Sequence, residues 1–344
     1  MQRDINLRIA TYNVEWFTNL FDAQGEPLFD GRPTRHEQTT AAGQARAVAR
    51  VMASVDADLM LVVEAPDDGV GRHTRVSLEL FAEYFGLRTR ACLHGAASVT
   101  QQEIALLYDP DRVAVRLDPE PGSHPVPRVH GLSAADHVFD KPPLEAIIES
   151  AGSTFHLIGV HIKSKVSHGQ TARNMHRLAL RSRRKQLVQS LWLRERVEDL
   201  LRQGKSLILL GDLNDGPGLD EYEEVLGQSA LEVISGQLGP GRYLLHDPHA
   251  RLQVGPTLAQ PASARFWSVA DQHYFGAMVD YIMVSGDLCA NRPAWRIWHP
   301  FDDPVCYRNA ELREALLTAS DHFPVSLDLV LHAPAEAGAA QGRP

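Results

Sequence analysis

The chain has 344 residues with 43 acidic and 34 basic side chains, for a formal net charge of −9. At 44% hydrophobic and 22% charged residues it is a globular composition with enough length for a large core, not a disordered or fibrous one. Three scattered cysteines, Cys92, Cys289 and Cys306, exclude a disulfide scaffold and a thiolate-built zinc module, and the acid excess argues against holding long nucleic acid by bulk charge.

Residues 7–16 alternate as a strand, with no apolar leader before them. A Gly, Pro, Asp and Thr-rich loop over 22–42 precedes a helix over 43–54. The nearly continuous apolar run 58–64 then reads as a strand buried on both faces. A second helix spans 72–85 and closes at Gly86. Strands are expected at 103–108, 112–117, 144–149 and 154–162, with a loop-like excursion over 119–143. The longest helix covers 171–202, and the strand after it breaks at Gly211. After a stretch of low periodicity, 228–275, come strands at 279–285 and 294–300, a helix near 309–319 and a final strand at 322–330. Residues 1–331 read as one domain, and 332–344 as a disordered tail. No stretch reaches the roughly 18 apolar residues that span a bilayer, so the expectation is a soluble, cytoplasmic protein. No obligate protein partner is evident.

One event recurs along this chain. An apolar strand ends, or begins, in a polar residue suited to phosphate or metal chemistry: Asn13, Glu64, His161, Asp212 with Asn214, Asp280, and the Asp321-His322 pair. A single acid at a strand end is ordinarily a cap or turn former. Six such positions, rich in carboxylates, carboxamides and imidazoles, are hard to explain that way, since polar groups at strand ends converge on one rim of a sheet. Hard oxygen donors suit Mg²⁺ or Mn²⁺.

This set, in this order, resembles the endonuclease/exonuclease/phosphatase superfamily, which includes pancreatic-type deoxyribonucleases, apurinic-site endonucleases, inositol-polyphosphate 5-phosphatases and bacterial sphingomyelinases. The resemblance runs from YNVEWF (12–17) to SDHFP (320–324), with GDLND and SDHFP its most specific parts. It implies an α/β (α+β) fold, a four-layer α/β/β/α sandwich of two packed, mostly antiparallel sheets. By the same resemblance, Glu64 is the principal metal ligand. Asn13 orients that carboxylate or a metal-bound water, and Asp321 lies near or on the metal. Asp212 orients or deprotonates the attacking water, and Asn214 holds the phosphate or that water. Asp280 pairs with His322, whose role is read as base or as transition-state donor. His161 is to reach the phosphate with Glu103 as its carboxylate partner, and Lys141 is to sit near the same rim. The chain departs from many members in reading Val63-Glu64-Ala65, which loses a flanking glutamine, and in Phe323.

Lys163 and Ser164, just after His161, are candidate phosphate contacts. Arg173, Arg177, Arg181 and Lys185 recur every four residues on one helix face, a basic stripe or an ordinary solvated face, with Arg173 nearest the motif. Among the aromatic residues, those in Arg265-Phe266-Trp267 and His273-Tyr274-Phe275 are the best candidates for a substrate wall. The expected activity is divalent-metal-dependent, nuclease-like hydrolysis of phosphodiesters in DNA or RNA. The alternatives are a phosphatase or phosphodiesterase for a small molecule or lipid headgroup and, more remotely, a non-catalytic binding protein.

Overall fold

Strand β1 (Asp4–Asn13) alternates as its sequence demands: Leu7 and Ile9 face one side, Ala10 and Tyr12 the other. The same alternation recurs in β2 (Leu59–Ala65), where Leu59, Leu61 and Val63 oppose Met60 and Val62. Both strands are therefore buried on both faces, which requires layers on either side. The computed structural model describes residues 4–34, 36, 39–69, 71–122, 139–165, 172–237, 243–251, 260–268 and 271–332.

Between β1 and β2 runs α1 (Ala41–Val55), capped by the Thr40 side chain and ended by Asp56 in the left-handed region. There follow α2 (Thr74–Phe85), β3 (Ala91–His94), β4 (Glu103–Tyr108), β5 (Ala114–Leu117), β6 (Leu144–Ser150) and β7 (Ser153–His161). The long α3 (Ala172–Arg202) leads to β8 (Leu207–Asp212), then to α4 (Glu221–Leu226), α5 (Ala230–Ser235) and β9 (Leu245–His246). A hairpin of β10 (Ala264–Ser268) and β11 (His273–Ala277) precedes β12 (Asp280–Ser285) and β13 (Ala294–Ile297). The described chain closes with α6 (Pro304–Arg308), α7 (Ala310–Ala319) and β14 (Val325–His332).

Two six-stranded sheets result, ordered β13-β14-β1-β2-β4-β3 and β5-β6-β7-β8-β12-β9. Leu7, Leu61 and Leu327 of the first meet Leu157, Ile208 and Ile282 of the second in the apolar layer between them. The outer face of the first sheet is covered by α1, α2 and α7 through Val48, Phe81 and Leu316. That of the second is covered by α3 and α5 through Leu193, Val197 and Ile234. This is the expected four-layer α/β/β/α sandwich. Burying each such side chain contributes about 1.5–3 kcal/mol, so the layers are held mainly by apolar burial. Among the described residues, no helix is long and apolar enough to cross a membrane.

Each sheet is antiparallel except for one pair: β1 with β2, and β7 with β8. A parallel pair needs a crossover, supplied here by α1 and α3. It also puts both C-terminal strand ends on the same edge, so Asn13 lies near Glu64, and His161 stands opposite Asp212. Antiparallel β12 starts at that edge, with Asp280 opposite Asp212 on its other side.

Several local expectations need correction. β1 stops at Asn13 instead of running to Trp16, because Trp16 adopts φ 52° and opens a 3-10 turn at Phe17–Leu20. β8 does not break at Gly211; it continues to Asp212. The stretch read as aperiodic holds α5, with a Ser229/Glu232 capping box, as well as β9 and the β10–β11 hairpin. These elements are too short for a periodic signal. Most of the 119–143 excursion (123–138), residue 171 and the expected tail from 333 lie outside the described residues.

Gly211 shows how tightly the edge is built. Its φ is +135°, and a Cβ there would lie 2.0 Å from the Val160 carbonyl oxygen of β7. Gly211→Ala should therefore cost about 3 kcal/mol in chemical denaturation. Gly204→Ala, at φ +72° with open space around it, should cost only about 1 kcal/mol.

Candidate active site

Asp212 sits at the centre of the shared edge. It is 1% exposed, and its Oδ2 accepts hydrogen bonds from Asn13 Nδ2 and Asn214 Nδ2, both at 3.0 Å. Its Oδ1 accepts the Asn214 backbone N–H at 2.7 Å, and His161 Nε2 lies 3.5 Å from Oδ2. Asn214 takes φ 47° to fold back over the carboxylate, and its Nδ2 also reaches the Ile162 carbonyl at 3.2 Å. Burial raises the Asp212 pKa to about 7, helped by Asp280 and opposed by His322.

His322 Nδ1 lies 2.8 Å from Asp280 Oδ2, leaving Nε2 for the cleft. Burial of the ring works against its charge. Asp280 outweighs that, with Asp321 and Asp212 adding to it, and the pKa stands well above the ordinary histidine value. Ser263 fixes the pair: its hydroxyl donates to Asp280 Oδ2 at 2.8 Å and accepts the N–H groups of Val279 and Asp280. Ser320 ties the segment carrying His322 to β1, donating to the Asn13 carbonyl at 2.8 Å and accepting the N–H groups of Glu15 and His322.

Glu64 closes the other side. At φ 58° it forms a bulge in β2 between Val63 and Ala65, and its carboxylate accepts the Trp16 N–H at 3.0 Å. Burial raises its pKa against the pull of that bond. The Asp321 carboxyl is raised to about 6, first by burial, with His322 opposing and Glu15 and Glu64 adding. Asn13 Oδ1 and Asp321 Oδ1 are both buried without a hydrogen-bond partner. Asp212, Asp280 and His322 each bring a donor atom within 4.8 Å of the others and can hold a divalent cation.

On the wall facing Glu64, Lys141 Nζ stands 2.9 and 3.0 Å from the two ring nitrogens of His161. Burial first, and Lys141 next, push the His161 pKa well below its usual value, so the ring is neutral and accepts from the ammonium. Burial also lowers the pKa values of Lys141 and Lys163. Lys163 and Ser164 line the cleft, and the Lys163 N–H is held by Gln189 Oε1 at 2.8 Å.

The expected His161–Glu103 pair is not formed. Glu103 accepts the Ser98 N–H at 2.7 Å and lies 3.4 Å from His94 Nε2, while Lys141 occupies the His161 ring. The basic stripe is divided: Lys185 pairs with Asp140 at 2.8 Å, while Arg177 and Arg181 are exposed. The Arg173 side chain lies outside the described residues. Tyr12 and Phe17 are core residues, whereas Trp16, Phe266, Trp267 and Phe275 line the cleft, whose volume is about 770 Å³.

Ser263 escaped the sequence reading because nothing local marks it; the hairpin brings it to Asp280. Ser320 stood within the SDHFP motif, but its links to Asn13 and Glu15 depend on a distant strand.

A model of the Endonuclease/Exonuclease/phosphatase family matches residues 10–322. The chain belongs to this family. Its fold is similar to that of the endonuclease/exonuclease/phosphatase from Bacteroides vulgatus, at 13% identity over 94% of this chain and 98% of that one, with a TM-score of 0.50. It is also similar to a functionally unknown conserved protein from Enterococcus faecalis V583, at 17% identity over 95% and 100% of the two chains, TM-score 0.48. ANGEL2, a 2′,3′-cyclic phosphatase, matches at 14% identity over 95% and 96%, TM-score 0.49. At such identities the likeness concerns the fold alone. A search of curated proteins found no match. Family and cation-competent cluster together make this chain a metal-dependent phosphoester hydrolase.

In the metal-free protein, imidazole ¹⁵N resonances should show His322 as imidazolium at neutral pH. Asp280→Asn removes the charge that outweighs burial, so the ring should become neutral there. Ser263→Ala should cost about 2 kcal/mol, read by denaturation, because it strands two buried N–H groups.

Proposed function

We propose that the cleft hydrolyses phosphodiester bonds of nucleic acid, with Asp212 positioning and deprotonating the attacking water. The observation that carries this reading is the setting of Asp212. A buried carboxylate with a pKa of about 7 is poised as a base at neutral pH, and Asn13 and Asn214 fix its orientation. The water oxygen bonds to phosphorus and its proton passes to Asp212, while the opposite phosphorus–oxygen ester bond breaks, the leaving oxygen taking the bonding pair and then a proton from solvent. His322, charged and held by Asp280, donates from Nε2 to a phosphoryl oxygen as negative charge builds there. Lys141 and Lys163 hold the phosphate, with neutral His161 as a further donor or acceptor. The N–H groups of Asn214 are engaged by Asp212 and Ile162, so Asn214 orients the carboxylate.

Mg²⁺ or Mn²⁺ fits Glu64, Asp321 and Asn13. These are hard oxygen donors on one cleft, and two of the oxygens are buried and unpartnered. This set is preferred over the Asp212, Asp280 and His322 cluster because there the His322 Nδ1 is already engaged by Asp280. When bound, the cation supplies positive charge against the phosphoryl oxygens. Half-exposed Trp267 and Phe275 beside the cationic wall favour a substrate that carries bases. Three free cysteines, two of them buried, suit a reducing, cytoplasmic setting.

Single-stranded and duplex oligonucleotides, an apurinic-site duplex and a panel of small phosphoesters, each with Mg²⁺ and with Mn²⁺, test this reading. Cleavage of nucleic acid is expected, abolished by EDTA. Asp212→Asn and His322→Ala should each lower kcat by about 10²–10⁴ while the fold is retained by circular dichroism. Glu64→Ala should raise the metal concentration needed for half-maximal rate. Turnover of a small phosphoester with no cleavage of any nucleic acid would overturn the choice of substrate.

A further inference from the structure

On the far side of β11 from the cleft lies a second cavity of about 640 Å³. The two share Asn214, Phe275, Val279 and Lys165, so a chain seated on the cleft can continue past Phe275 into this space. Its walls combine cationic and aromatic groups. The Arg265 guanidinium lies 3.7 Å from the centroid of the Tyr274 ring and 5.8 Å from that of Phe301. Among the described residues no carboxylate pairs with Arg265, and its backbone N–H is anchored on the Asp321 carbonyl at 2.7 Å. Phe301 is 46% exposed. It is presented by a turn in which His299 Nδ1 accepts the N–H groups of Phe301 and Asp302, at 3.3 and 3.0 Å. Of the carboxylates lining the cavity, Asp215 is held by Lys165 at 2.5 Å, and the Asp302 side chain is exposed.

We infer that this cavity receives the nucleotide next to the scissile phosphate in a single strand, with its base on the Phe301 ring and its phosphate on Arg265. The inference rests on the nucleic-acid reading above and names where that substrate extends. A planar guanidinium fixed by ring stacking and without a carboxylate partner is a phosphate-recognition group. An exposed ring beside it offers a stacking platform that accepts any base. The concave shape separates this from a flat lipid-facing patch. Arg265 and Phe301 line this space and not the cleft, so they contribute to binding and leave the bond-breaking step alone.

Arg265→Met and Phe301→Ala test it, with kcat and KM measured on a single-stranded tetranucleotide and on p-nitrophenyl methyl phosphate, which has no base to place there. Binding of a 2-aminopurine-labelled tetranucleotide to metal-free protein is read by fluorescence. Each variant should raise KM for the tetranucleotide about tenfold with kcat unchanged, weaken metal-free binding similarly, and leave the methyl ester untouched. Equal losses on both substrates would overturn the inference by assigning the residues a structural role, and unaltered tetranucleotide KM would overturn it directly. In that second case wild-type cleavage of the tetranucleotide keeps the nucleic-acid reading intact. A wild-type protein that hydrolyses the methyl ester but no tetranucleotide would remove both. Loss of vesicle binding (phosphatidylcholine with phosphatidylserine) in the variants, with tetranucleotide KM unaltered, would assign the surface to lipid and also overturn it.

Discussion

The hydrogen bond from Asn13 to Asp212 joins the two sheets at the edge where their shared apolar layer ends. Asn13 closes β1 in the middle of one sheet, and Asp212 closes β8 in the middle of the other. Every other group of the cleft is positioned relative to this link. His161 and Asp280 flank Asp212 in its own sheet, Glu64 follows from the strand beside Asn13, and Ser320 carries His322 in by bonding the Asn13 carbonyl. The parallel pairs make this possible. In a wholly antiparallel sheet, neighbouring strands would end at opposite edges, and Glu64 and Asn13 could not finish together.

Collecting ionisable groups at a buried edge has an electrostatic consequence. Desolvation pushes the carboxyls of Asp212, Glu64 and Asp321 up, and lowers the pKa values of Lys141, Lys163 and His161. His322 alone among the cleft's histidines is driven the other way, because Asp280 lies against its Nδ1. The cleft thus separates a charged imidazole from a neutral one across a single carboxylate. Apolar burial in the three core layers offsets the cost of that arrangement.

Part of the backbone strain falls at the same place. Trp16, Glu64 and Asn214 all take positive φ, and Gly211 takes a conformation closed to other residues by the Val160 carbonyl. Each lies at or next to a strand end, where the chain must leave the pleat and turn a side chain into the cleft. The Asp212 carboxylate and the Trp16 N–H compensate locally, by bonding Asn214 and Glu64.

By itself the sequence determined the strand alternation, the long helices and the polar residues that end strands, and through GDLND and SDHFP it pointed to the family. These features are local: periodicity follows from side-chain direction, and each motif lies within a few consecutive residues. The partners of those residues were decided by tertiary structure. The Asn13–Asp212 bond spans 199 positions and the Ser320–Asn13 bond 307. Glu103 and His161 illustrate the difference, since their order in the chain suggested a pair that the sheets do not make: Glu103 caps Ser98, and Lys141 takes the ring. The short hairpin that brings Ser263 to Asp280 and opens the second cavity has too few residues for a periodic signal. Its place comes from hydrogen bonds to Asp321 and Phe323, near the other end of the chain.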